Sequence, residues 1–134
     1  MKAIIGFAPA ALLIAALAFA QEPRYEMTTY YVGILKKGPK WTAESTEETK
    51  KIQAGHMANI QKMAATGKLI VAGPFADGGD PRGLYIFKAD SIDEVKAMVA
   101  DDPAVHAGRL VVEVRPWMAA KGIKIDPPVS APAK

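Results

Sequence analysis

Apolar residues return along this chain with two different periods. From Tyr25 to Leu35 the run YEMTTYYVGIL is rich in β-branched and aromatic residues and stops at Lys36-Lys37-Gly38-Pro39, which predicts a first strand closed by turn residues. After the polar stretch KWTAESTEET the period changes. Ile52, His56, Ile60, Met63 and Ala64 recur at helical spacing, with Lys50, Lys51, Gln53, Gln61 and Lys62 mostly on the opposite side. Gly67 stands where a left-handed residue is expected to stop that helix. Leu69 to Ala72 predicts a short, well-buried second strand, closed by Gly73-Pro74. The loop ADGGDPRG leads into a third strand at Leu84 to Phe87, so the two strands form an antiparallel hairpin. Ser91-Ile92-Asp93-Glu94 is a capping box that opens a second helix, with Ile92, Val95, Met98 and Val99 on one face. Pro103 prevents its continuation. Leu110 to Val114 predicts a fourth strand, ending at Pro116-Trp117.

The order is β-α-β-β-α-β, which predicts an α+β, ferredoxin-like protomer: a four-stranded antiparallel sheet with two helices on one face. The chain supplies no further helix for the other face. The simplest cover is a second copy, so a homodimer joined through its sheet faces is expected. The first twenty residues belong to no part of this pattern. MKAIIGFAPAALLIAALAFA has one basic residue, an apolar run and a closing Ala-Phe-Ala, the layout of a secretory signal peptide over 1–20. The domain is expected over 21–118, followed by a Pro-rich, disordered tail over 119–134. On this reading the protein is exported, periplasmic or extracellular, and free of the membrane once the signal is cleaved.

Charge and cysteine content narrow the possibilities further. Removal of Lys2 lowers the formal net charge of +3 by one. That balance is too mild to indicate nucleic acid, and no basic stripe with interleaved aromatics occurs. There is no cysteine, so neither a disulfide nor a lipid on an N-terminal Cys is available. A domain of this size has a modest core, and dimerisation would support it.

Candidate chemistry begins with histidine. The chain has only two, His56 and His106. His56 lies on the apolar side of the first helix, between Ile52 and Ile60 one turn away, and therefore points at the sheet or at a pocket beside it. It is either a packing residue or a general base that a nearby carboxylate would orient. Asp101 and Asp102 close the second helix, where acids oppose the helix dipole. Asp102 either starts an Asp-Pro turn or has a function that offsets the unfavourable position. Ser91 is explained by capping. Trp41 lines a pocket or caps the core, and Arg82 is a solvated arginine that could also receive an anionic substrate. His106 reads as a solvated loop residue. The loop DGGDPRG lacks the Lys-Ser/Thr and following helix of a phosphate loop, and DGGD is too short for a calcium loop. No metal site and no cofactor are expected.

Taken together, His56 in the first helix, GKLIVAGPF, RGLYIFKADSIDEV, DDPAV and a strand closing in RPW resemble the YciI-like (YCII-related) domain family, from about Tyr30 to Trp117. KKGPKW before the first helix resembles one branch of it. The resemblance implies a dimeric α+β barrel of ferredoxin-like protomers, similar to muconolactone isomerases. It also implies an active-site dyad of His56 and Asp102, with Ser91 at times drawn into the same pocket and Gly73 and Pro74 shaping its wall. One characterised relative eliminates chloride from a chlorinated hydroxyquinol. The expected function is a cofactor-independent isomerase or lyase acting on a small carbonyl or phenolic compound. The alternative is a non-catalytic dimer that binds a small molecule or plays a structural part.

Overall fold

The computed structural model describes residues 24–123. The expected signal peptide and most of the expected tail lie outside them. The elements run β1 (Met27–Lys37), α1 (Glu47–Ala65), β2 (Leu69–Pro74), β3 (Gly83–Phe87), α2 (Ile92–Ala100), α3 (Pro103–His106) and β4 (Leu110–Ala120). The four strands form one antiparallel sheet in the order β2-β3-β1-β4, the ferredoxin-like topology that the element order predicts.

Register assigns every strand residue to a face. Leu35, Tyr85 and Phe87 point to the helix side, where they meet Met63 of α1 and Val95 and Val99 of α2 in the buried core. Phe87 and Val95 are fully buried, and burial of side chains this size stabilises by about 1.5–3 kcal/mol each. β2 is an edge strand rather than a well-buried one. Only Leu69 is buried, a bulge separates Leu69 from Val71, and Ala72, Gly73 and Pro74 are exposed.

Helix ends follow local chemistry. Thr46 caps α1 by accepting from the Thr49 N–H at 3.1 Å, and Thr49 Oγ1 accepts in return from the Thr46 N–H at 2.8 Å. Gly67, at φ +75°, donates its N–H to the Ala64 carbonyl at 2.9 Å and ends the helix as expected. Within α1 the buried positions are His56, Asn59 and Met63, whereas Ala64 is exposed. Ser91 caps α2 through the Glu94 N–H at 3.2 Å, while the Glu94 carboxylate reaches the Asp90 N–H at 3.1 Å.

Two further elements differ from expectation. A one-turn helix, α3, follows Asp102 where a turn was expected, with Pro103 at its first position. It packs against α1 on the helix side of the sheet. β4 passes through Pro116 and pairs with β1 as far as Ala120. It is an edge strand, where proline is tolerated.

Candidate active site

A cavity of about 610 Å³ opens between α1, the strand-closing loops of β1 and β2, and the α3–β4 junction. Its walls include His56, Trp41, Gly73, Pro74, Arg82 and Tyr85. The volume is in the range typical of small-molecule sites.

Asp102 is positioned by the helix it starts. Its Oδ1 accepts the Ala104 N–H at 2.8 Å, an N-cap bond that fixes the carboxylate. This resolves the misplaced acid at the end of α2: only Asp101 belongs to that terminus, and Asp102 sits at the favourable, positive end of α3. The capped carboxylate turns its other oxygen, Oδ2, to His56 Nδ1 at 2.7 Å. Close approach of the two helices makes this contact geometrically possible. A Cβ on Gly55 would come within 2.9 Å of Pro103 Cγ, so the bare glycine lets α3 press against α1 beside His56.

The pair is buried, with His56 8 % and Asp102 1 % exposed. Burial alone would raise the Asp102 pKa. The His56 hydrogen bond, the Ala104 N–H, the charge of a protonated His56 and the Asn59 amide outweigh it, and hold the carboxyl below its usual value. An ionised carboxylate only accepts hydrogen bonds, so His56 Nδ1 is the donor. In the neutral ring the lone pair then lies on Nε2. Asp102 stands behind the imidazole and does not line the cavity, so Nε2 is the nitrogen left on the cavity side.

Two buried polar groups next to the pair were not singled out in the sequence. Asn59 lies one turn beyond His56, and its polarity favours the Asp102 charge, although its Nδ2 makes no hydrogen bond of good geometry. Tyr85 lies under the cavity, edge-on to Phe87 with ring centroids 5.7 Å apart, and its hydroxyl also has no partner among the described residues. Burial, and then the Asp102 charge, raise the Tyr85 pKa, so the phenol keeps its proton.

The remaining candidates separate cleanly. Trp41, Gly73, Pro74 and Arg82 share the cavity with His56. Ser91 does not line it: the residue is exposed, and its hydroxyl is engaged by the α2 cap. His106 is exposed on α3. Arg109, not singled out in the sequence, lines the cavity and donates from Nη2 to the Thr42 carbonyl at 3.0 Å. The loop carrying Trp41 is tied to the same junction, since Gly38 N–H donates to the Arg109 carbonyl and Lys40 N–H to the Gly108 carbonyl, both at 2.9 Å. A Cβ on Gly38 would lie 2.3 Å from the Gly108 oxygen, so only glycine permits this seam. Among the described residues, no group of three or more His, Cys, Asp or Glu side chains is placed to hold a metal ion.

Comparison with known proteins follows this geometry. The YCII-related domain matches residues 29–118, from β1 into β4. The uncharacterized protein YjpA of Bacillus subtilis (strain 168) is 31 % identical over 68 residues, which cover 51 % of this chain and 78 % of YjpA. A solved structure with a similar chain is 5-chloro-2-hydroxyhydroquinone dehydrochlorinase (TftG) from Burkholderia phenoliruptrix AC1100, in complex with 2,5-dihydroxybenzoquinone. It is 26 % identical, with a TM-score of 0.49, and the match covers 67 % of this chain and 93 % of that one. The match over residues 29–118 shows that this chain belongs to the YCII-related domain family.

Proposed function

We propose that this protein is a cofactor-independent isomerase or lyase that moves a proton on a small carbonyl or phenolic compound, with His56 as general base and Asp102 as the residue that positions it. One observation carries the reading: a buried imidazole, held at 2.7 Å by a capped carboxylate, forms part of the wall of a cavity large enough for a small molecule. Asp102 fixes the tautomer, Nε2 takes the proton, and the imidazolium that forms is stabilised by the carboxylate behind it. The carbanion or phenolate left behind rearranges or expels a leaving group, and the same imidazolium returns the proton in an isomerisation.

The test is exchange of a substrate C–H proton with deuterated solvent, followed by NMR across a panel of hydroxylated aromatic and cyclic carbonyl compounds. His56→Gln is expected to lower the exchange rate by about 10²–10⁴-fold. Asp102→Asn is expected to lower it by about 10²-fold through loss of orientation. Its imidazole ¹⁵N shifts should show a mixture of tautomers in place of the single Nδ1–H form. Exchange that is unaffected in His56→Gln would remove His56 as the base, and wild-type exchange no faster than in buffer would return the protein to a binding role.

The same reading includes a homodimer through the outer sheet face. That face carries Val32, Ile34, Leu84, Ile86 and Val71, all only half-buried in the single chain. It supports a second copy because neither α1, α2 nor α3 lies over it.

A further inference from the structure

Two arginines give the cavity a charge that proton transfer by His56 does not require. Arg82, at the start of β3, and Arg109, ahead of β4, both line it and both are half-buried. Among the described residues, no Asp or Glu lines the same cavity. Among the described residues neither guanidinium forms an ion pair. Each is held instead by neutral carbonyls. Arg82 Nη1 donates to Gly78 O at 2.8 Å and to Gly79 O at 3.1 Å, and Arg109 Nη2 donates to Thr42 O at 3.0 Å. The carboxylates of the hairpin loop are engaged elsewhere: Asp77 accepts from the Gly79 N–H and Asp80 from the Lys37 N–H.

These bonds hold both cations in position without a carboxylate bound to either among the described residues. A guanidinium has five N–H donors, so most remain for a ligand. A loop clamp alone could be built from neutral donors. Two cations on the wall of one cavity raise the local concentration of an anionic ligand. The Trp41 ring lies among these cations, with Lys37 Nζ 4.5 Å and the Arg82 guanidinium carbon 5.6 Å from its centroid. With both of these cations over it, the Trp41 ring packs against Arg82 in the wall that also carries the imidazole of His56.

We propose that the cavity takes a small organic anion, a phenolic or carbonyl compound whose carboxylate is received by Arg82 and Arg109 while its hydroxyl or carbonyl end faces His56. The placement of the reacting end rests on the general-base role of His56. The preference for an anion does not, and binding measures it without turnover.

The experiment compares 2,5-dihydroxybenzoate with 1,4-dihydroxybenzene, which differ by the carboxylate, using calorimetry and NMR shifts on the full chain. The benzoate is expected to bind at least about tenfold more tightly at low salt, and its advantage should shrink as salt is raised. Arg82→Gln and Arg109→Gln should each reduce the advantage, and the double variant should remove it. Arg82→Lys and Arg109→Lys, which keep the charge and lose the fork, provide a folded control and should retain part of it. His56→Gln should keep the preference. Equal binding of the two compounds, no binding of either up to roughly 10 mM, or a preference that survives the double arginine variant would overturn the proposal. A His56→Gln protein with both the anion preference and wild-type proton exchange would remove the general base and leave the anion site standing.

Discussion

Asp102 combines two tasks in one carboxylate. One oxygen caps α3 and the other holds His56, so a single residue fixes both a helix and an imidazole. Its folded pKa lies below the ordinary value of an aspartate carboxyl. An acid shifted this way contributes stability that is complete above the unfolded value and is lost as pH falls through the folded one. The contribution of Asp102 is therefore intact at neutral pH, begins to fall near about pH 4 and is gone only below the folded pKa. Urea unfolding between pH 3 and 7 is expected to show a steeper acid loss in wild type than in Asp102→Asn, by about 1–3 kcal/mol for a buried charged hydrogen-bond network. Equal slopes would assign the acid sensitivity to other carboxylates. The two residues of the pair were legible for unlike reasons. His56 stood out as a rare residue on an apolar face. Asp102 stood out because it broke a rule at the end of α2, and its capping of α3 explains that exception. Tyr85 and Arg109 gave no such signal. Tyr85 fits strand alternation as a core aromatic, which it also is, and Arg109 is one basic residue after a glycine until the fold carries it to the cavity.

At the scale of elements, the site depends on how closely α3 can approach α1. Replacing Gly55 by Ala adds helix propensity worth about 1 kcal/mol. It also places a methyl 2.9 Å and 3.1 Å from the Pro103 ring, whose atoms are held by the cap and cannot swing aside as a flexible side chain would. Overpacking of this kind costs about 1–3 kcal/mol, so it equals or exceeds the gain. Gly55→Ala is expected to be destabilised by roughly 1 kcal/mol and to show a mixture of His56 tautomers, checked by thermal unfolding and imidazole ¹⁵N shifts. A variant more stable than wild type with an intact tautomer would mean that α3 yields without disturbing the pair. The main elements were legible because each carries a strong local signal: β-branched and aromatic runs bounded by turn residues in β1 and β3, helical spacing in α1, the Ser91 cap of α2. Helix α3 was not, because four residues are too few to show a period. The far half of β4 was missed because Pro116 reads as a stop, and only membership of an edge makes it acceptable.

At the scale of the whole molecule, one sheet face is covered by helices and the other carries none among the described residues. Val32 lies opposite Ile86, and Ile34 opposite Leu84, on the side away from the helices. Val111 and Trp117 extend this surface at 47 % and 42 % exposure. Lys36, Glu113 and Arg115 pair with one another along the same face and supply a polar margin. An isologous contact would seat Ile34 near a shared centre, where one substitution acts twice. Ile34→Asp leaves a half-exposed carboxylate on a single chain, which the fold can tolerate. In the dimer it would bury one unpaired charge per protomer, at about 2 kcal/mol or more each, so association should weaken by roughly a thousandfold. Sedimentation is expected to show a dimer for wild type and a monomer with an unchanged circular dichroism spectrum for Ile34→Asp. Because ligation by a second copy stabilises only the folded state, the wild-type melting temperature should rise with protein concentration and that of the variant should not. A wild-type chain that stays monomeric, with a concentration-independent melting temperature, would leave the outer face to a different partner.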